Sequence, residues 1–321
     1  MTDEPDLAAT DGAADESATD VALDEVATGE TATGEAATDE SAGHRATRAP
    51  ATPRAGRDLR AAVGVGLFLA GLVIGTLIID ARAFLVVVIA AIGLGAWELR
   101  RAIATKGITI PLVPLLLGVA GMLVSAYARG AEALVVTFGL TIIGLLIWRV
   151  ADGVAGAARD LSASALVTFY PVFLAGFAAL MLAEPDGRQR IVVFVLVTVF
   201  SDLGGYAVGV KFGKHPMAPS LSPKKSWEGF AGSVVSCAVV GAIALPVLLD
   251  GPWWAGAVLG VVAAAAATLG DLIESSIKRD LGIKDMSTIL PGHGGLMDRL
   301  DSLVVVAPIA WALLLLFVPT G

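Results

Sequence analysis

VVFVLVTVFSDLGGYAVGVKFG, residues 192–213, holds a single carboxylate, Asp202, in a run that is otherwise uncharged until Lys211. A bilayer's hydrocarbon core is about 30 Å thick, and about 20 apolar residues cross it as a helix rising 1.5 Å per residue. The run has that length, and a helix satisfies every backbone group internally, so it reads as a membrane span. Asp202 lies about ten residues beyond Ile191, roughly 15 Å along such a helix and near mid-membrane. An ionisable group at that depth normally faces a cavity, a partner or an ion. A structural hydrogen bond from a protonated Asp to a neighbouring helix is the plainer alternative. Gly204, Gly205 and Gly209 beside it permit close helix approach, as ordinary packing also does.

The rest of the chain matches that run. Hydrophobic residues make up 56% and charged residues 16%, and the mean hydropathy is +0.78, well beyond a soluble domain. Nine segments have the length and composition of spans: 61–80, 83–104, 109–127, 131–150, 162–183, 190–210, 229–249, 253–273 and 302–319. The fold class expected is therefore all-α, a polytopic integral membrane protein of about nine transmembrane helices. Residues 1–57 carry 13 Asp and Glu against four Arg, which leaves about +1 for everything after them. That tail, with the loose repeat ATGETATGEAATDESA, has too little bulky apolar surface to offset the entropy of ordering and reads as disordered. It is acidic where a secretory signal is basic and has no apolar core, so it does not read as one. The division expected is a disordered acidic tail at 1–57, N-terminal transmembrane helices at 58–189 and a C-terminal catalytic region at 190–321.

With the N-terminus inside, the inner connections hold 16 Lys and Arg and the outer ones four, Arg82, Arg129, Arg188 and Arg190. The positive-inside rule then places the N-terminus in the cytoplasm and the C-terminus outside, in a cell membrane. The two most polar connections, 211–228 and 274–301, fall on the cytoplasmic face, where a shared site can form. Cys237 is the only cysteine and there are three histidines, which excludes an intramolecular disulfide and a Cys/His zinc site.

The chemistry concentrates in three stretches. KFGKHPMAPSLSPKKSWEGF, residues 211–230, reads as a cationic loop in which Lys224 and Lys225 could meet an anionic headgroup or a polyphosphate. In TLGDLIESSIKRDLGIKD, residues 268–285, Asp271, Glu274, Ser275 and Lys278 line one face of a continuing helix. Asp271 follows the 17 uncharged residues Trp254 to Gly270 and so sits near the membrane boundary, while a Glu274–Lys278 ion pair would be an ordinary helix contact. In LPGHGGLMDRLDS, residues 290–302, Pro291, Gly292, Gly294 and Gly295 break helix and let backbone N–H groups approach a ligand, and Asp298 and Asp301 share a face of the last helix. Carboxylates beside Lys278, Arg279, Lys284 and Arg299 suit a metal-bound polyphosphate, the acids holding a hard cation and the bases neutralising phosphate oxygens.

At these residues the chain resembles the phosphatidate cytidylyltransferases, also called CDP-diacylglycerol synthases. SSIKRDLGIKDMSTILPGHGGLMDRLD, residues 275–301, matches that family's signature throughout, and SDLGGYAVGVKFGKH and SPKKSWEG look like two further family blocks. The likeness covers roughly 190–305 closely and the first five spans by hydrophobic pattern alone. It implies condensation of CTP with phosphatidic acid to CDP-diacylglycerol and pyrophosphate, with Mg²⁺ and with room for a monovalent cation beside it. On that basis Asp271 and Asp298 are the expected metal ligands, with Asp202 and Asp301 as candidates for a second cation or for supporting the first. Lys224, Lys225, Lys278, Arg279, Lys284 and Arg299 would contact triphosphate or the lipid phosphate, Asp271, Asp298, Lys278 and Arg299 being the catalytic set. His293 would donate to pyrophosphate or hold the glycine loop by a structural hydrogen bond. The expected partners are CTP, phosphatidic acid and the lipid bilayer, with no nucleic acid and with a homodimer left open. A transporter would spread polar groups through several spans on both sides of the midplane, whereas here they gather at one face. The Asp-Gly pattern of the CDP-alcohol phosphatidyltransferases survives only as a fragment at Asp152 and Gly153.

Overall fold

The computed structural model describes residues 59–153, 155–289 and 294–318. The expected tail at 1–57 and His293 lie outside the described residues. Within them the chain runs as α1 (Leu59–Ile79), α2 (Ala81–Ala104), α3 (Leu112–Arg129), α4 (Ala131–Ala151), α5 (Ala157–Val167), a π turn (Thr168–Phe173), α6 (Leu174–Ala183) and α7 (Gly187–Phe212). A hairpin of β1 (Pro216–Ala218) and β2 (Ser222–Ser226) follows, then α8 (Trp227–Leu249), α9 (Trp253–Leu281) and α10 (Met297–Phe317). Eight of these helices are long and apolar enough to cross a membrane, α5, the π turn and α6 counting as one. The expected first span, 61–80, is α1, a 21-residue helix whose side chains are only partly among the described residues. The protein is a multi-pass, helical membrane protein.

Local chemistry sets the ends and irregularities. Pro171 has no N–H to give, and around it the ladder loosens to π spacing, with the Leu174 N–H donating to Phe169 O. Asp80 caps α2 by accepting the Arg82 N–H at 2.7 Å, and Ser226 caps α8 by accepting the Gly229 N–H at 3.1 Å. Helix α9 outruns its expected end at 273 by two turns, stopping where Gly282 takes φ +74 and Ile283 N–H reaches back to Lys278 O. Helix α10 begins at Met297 instead of 302, which draws Asp298, Arg299 and Asp301 into its first turns.

Two styles of packing divide the bundle. Helices α7, α8 and α9 meet backbone to backbone: a Cβ on Gly232 would stand 2.6 Å from Val208 Cβ and 2.7 Å from Gly204 O, and Gly256 abuts Gly241 in the same way. Three donors on one face of α8 seal the contact, Ser233 Oγ to Ser201 O at 2.6 Å, Ser236 Oγ to Phe200 O at 3.0 Å and Cys237 Sγ to Val197 O at 3.1 Å. Helices α2, α3 and α6 interlock instead through buried side chains such as Leu99, Leu115, Met122 and Met181. Large apolar side chains on outward faces, Ile143 and Ile147 on α4 or Val235 and Val239 on α8, are exposed as a lipid-facing surface requires.

The stretch 211–228, expected as a loop, contains the antiparallel hairpin. The ladder pairs Pro216 with Ser226 and Ala218 with Ser222, and Trp227 N–H donates to His215 O. Strands of three and five residues have no independent stability; this pair is held by the helix ends it joins and by Glu228, which accepts from the Lys214 and His215 N–H groups at 3.1 and 3.2 Å. Arg279 Nε donates to Leu221 O at the hairpin turn (3.3 Å), so the two polar connections do meet at one end of the bundle.

Candidate active site

Helix α9 is unbroken from Trp253 to Leu281, so the spacing of Asp271, Glu274, Ser275 and Lys278 keeps them on neighbouring turns of one face. Asp271 is met by Lys225 from β2, Nζ to Oδ2 at 2.5 Å, with the two side chains 34% and 24% exposed. Ser275 Oγ donates to the other Asp271 oxygen at 3.4 Å. A cavity of about 280 Å³ opens between α7, α8 and α9, and Asp202, Tyr206, Lys224, Lys225, Thr268 and Asp271 are among the residues that line it. Asp202 thus faces a cavity, not a neighbouring helix, and no hydrogen bond from the described residues reaches its carboxylate. Two carboxylates and two lysines that the sequence had in separate stretches share one opening.

A second group lies where α9 meets α10. Lys278 Nζ bridges Glu274 Oε2 at 2.5 Å and Asp298 Oδ1 at 3.0 Å. The helix-local pair therefore forms, and it is extended across the bundle. Asp298 is tied further to its own chain: Met286 N–H lies 3.2 and 3.1 Å from its two oxygens, and Gly295 N–H donates to Oδ2 at 2.7 Å. This corrects one expectation, because the Gly295 N–H is spent on Asp298 and not offered to a ligand; Pro291 and Gly292 lie outside the described residues. Gly294 has φ +85, and a Cβ there would stand 2.9 Å from Asp298 Oδ2, so the turn needs glycine. Asp301 is buried, accepts the Ser302 N–H at 2.7 Å, and stands close enough to Asp271, Lys278 and Asp202 to feel their charges. Arg279, Lys284 and Arg299 are exposed at this same end, and Lys224 is exposed at the cavity rim.

Three features escaped the sequence reading. Glu98 of α2 is fully buried and accepts from Ser287, Leu296 and Met297, on either side of residues 290–293. Tyr170, on the π turn, donates its hydroxyl to Gly270 O, one residue before Asp271. Glu274 Oε1 is buried and has no hydrogen-bond partner among the described residues, an arrangement that costs free energy unless something binds there.

Among the described residues no three His, Cys, Asp or Glu side chains stand close enough to hold one metal ion. Mg²⁺ is commonly held by one or two carboxylates together with phosphate oxygens and water, so a site of that kind would be completed by substrate. The donors are oxygen atoms, the type a hard cation takes: Asp202 and Asp271 line one cavity, while Asp298 stands apart in the group with Lys278, and among the described residues no contact joins Asp271 to Asp298.

Fold and site define a multi-pass membrane protein with a polar cavity that holds the Lys225–Asp271 pair, and with a second carboxylate–lysine pair, Asp298 and Lys278, where α9 meets α10. Residues 60–317 match the cytidylyltransferase family, and the chain belongs to that family. It is 42% identical over 282 residues to a phosphatidate cytidylyltransferase of Mycobacterium leprae, covering 83% of this chain and 90% of that one. Proteins of the same name from Mycobacterium bovis and Mycobacterium tuberculosis are each 40% identical over 288 residues, covering 85% of this chain and 94% and 88% of theirs.

Proposed function

We propose that this chain is a phosphatidate cytidylyltransferase that joins CTP to phosphatidic acid, giving CDP-diacylglycerol and pyrophosphate. The observation that carries the reading is the pairing of Lys225 with Asp271 and of Lys278 with Asp298 at one end of the bundle. Alternating lysine and carboxylate is the charge pattern that a metal-bound triphosphate complements. A phosphate oxygen of the lipid attacks the α-phosphorus of CTP; the Pα–O bond to the β-phosphate breaks, and pyrophosphate leaves with that electron pair. No side-chain nucleophile takes part. Lys224 and Lys225 at the cavity rim, with Lys278, Arg279, Lys284 and Arg299, bind and neutralise phosphate oxygens, so that two anions can approach and the departing pyrophosphate is stabilised.

Asp271 and Asp298 would hold Mg²⁺, and Asp202 and Asp301 a second cation or the first pair's orientation; bound there, the ion supplies charge neutralisation to the phosphates. The apolar helix faces around the cleft keep the lipid substrate's chains in the bilayer while its phosphate reaches the polar end. The Lys and Arg bias supports an orientation in a plasma membrane with that end facing the cytoplasm and the C-terminus outside. A cysteine introduced as Ser220→Cys in the hairpin turn should then react only with reagents that enter the cell; reaction from outside intact cells would reverse the orientation.

The function is tested with purified protein in lipid nanodiscs supplied with labelled CTP, phosphatidic acid and MgCl₂. A lipid-soluble cytidine product that requires all three additions is the expected outcome. Release of pyrophosphate without such a product, or no turnover of CTP, would refute the reading.

A further inference from the structure

We infer that Glu98, in the N-terminal half of the chain, is a positioning residue for the reaction: its carboxylate pins both ends of the loop that leads into α10 and thereby sets where Asp298, Arg299 and Asp301 stand. The inference rests on the cytidylyltransferase reading and adds to it a residue from outside the stretches that resemble the family closely.

Glu98 sits four turns into α2 and is 0% exposed, a place where an acidic side chain persists only if its oxygens are satisfied. They are satisfied by a segment almost two hundred residues away. Oε1 accepts from Ser287 Oγ at 2.5 Å and from Leu296 N–H at 3.1 Å, and Oε2 accepts from Met297 N–H at 2.7 Å. Ser287 passes the contact on, its Oγ accepting the Ile289 N–H at 3.2 Å. One carboxylate therefore grips the segment before 290–293 and the segment after it.

The second feature is what it grips. Leu296 and Met297 are the N-cap and first residue of α10, whose opening N–H groups have no partners within the helix. Leu296 itself offers no capping side chain, so Glu98 supplies from another helix what a Ser or Asp would supply locally, with negative charge where the helix dipole favours it. The next residue along is Asp298, which fastens the same loop from inside through Met286 and Gly295. Two carboxylates thus hold the same short segment, and only one of them belongs to the signature stretch. Contacts between them are tight: a Cβ on Gly295 would lie 2.9 Å from Glu98 Oε2 and 3.1 Å from Asp298 Oδ2, and Gly95, one turn before Glu98, packs on Met297. Removing the brace frees the start of α10 to shift, and a displacement of about 1 Å at a reacting centre costs on the order of 10²-fold in rate.

Glu98→Gln keeps the length and one acceptor oxygen but turns the other into an NH₂ group facing donors. The variant and the wild type are compared in nanodiscs by kcat and KM for CTP and by hydrogen exchange along the chain. The expected result is a fall in kcat of about 10- to 10²-fold, with KM for CTP changed less than about threefold. Exchange should speed up in residues 285–289 and 294–298 and stay as in the wild type in α7 and α8. Ser287→Ala, which removes one of the three donors, should move both readouts the same way by a smaller amount, and it carries the test if Glu98→Gln does not fold. Wild-type kcat and wild-type loop exchange in the variants would overturn the inference, and so would faster exchange spread evenly over all helices, which marks a general stability role. An inactive wild-type protein would instead overturn the function on which the inference rests.

Discussion

Asp271 and Asp298 carry the same chemistry in two different mountings. Asp271 stands in an open cleft, a third exposed, and its ion-pair partner is Lys225, a side chain delivered by a hairpin. Asp298 has only 7% of its side chain exposed and is bound to Lys278 and to two backbone N–H groups of the loop that precedes it. A contact between two flexible side chains near solvent is easily exchanged for a phosphate or a cation; a carboxylate that accepts backbone N–H groups cannot leave without the loop moving. The difference teaches that the cleft side of the site is built for exchange and the loop side for fixed position.

If that division is right, substitutions should separate along it. The largest effect is expected at Asp298, which holds the preceding segment through Met286 and Gly295 and, in the proposed function, also binds Mg²⁺. Asp298→Asn should lower product formation by about 10³-fold, with partial recovery at raised Mg²⁺ and faster hydrogen exchange at Met286 and Gly295. Retention of more than about a tenth of the activity would show that the charge is not needed there. Next comes Lys225→Ala, which leaves Asp271 without its counter-ion: a loss of about 10- to 10²-fold, expressed as a raised KM for CTP with unchanged loop exchange. A loss confined to kcat would place Lys225 on the loop side of the comparison instead. Asp301→Asn should do less again, about tenfold, because its visible contact is to the neighbouring Ser302 N–H; inactivation as deep as that of Asp298→Asn would make it a principal ligand. The smallest effect is expected from removing residues 1–55, whose acidic, apolar-poor composition offers nothing to the proposed chemistry; turnover should stay within about twofold. Loss of most activity in a folded truncated protein would give the tail a part in catalysis.

How much of this could be read from the sequence depended on the range of the interaction. The spans were legible because each is a continuous apolar run of bilayer length, and Asp202 and Asp271 stood out because a charge amid such a run is expensive. The Glu274–Lys278 pair was legible because four residues is one helical turn. The joining of Lys225 to Asp271 was not, since no local rule fixes which lysine of a cationic stretch meets which carboxylate. The hairpin was hidden by Pro216, Pro219 and Pro223, which read as loop, and by strands too short to show alternation. Glu98 was the least visible of all: beside Arg100 and Arg101 it looks like the charged end of a span, and its partners lie 189 to 199 residues away.

The most direct test of the central claim is a side-by-side measurement of Asp271→Asn and wild type in nanodiscs, scoring CDP-diacylglycerol formation and loop hydrogen exchange on the same samples. The account predicts a loss of product formation of about 10²-fold or more with exchange of residues 285–289 and 294–298 unchanged, because Asp271 touches the substrate side and not the loop. Activity above about a tenth of wild type would contradict it by showing that the cleft of Asp271 and Lys225 is not where the chemistry occurs.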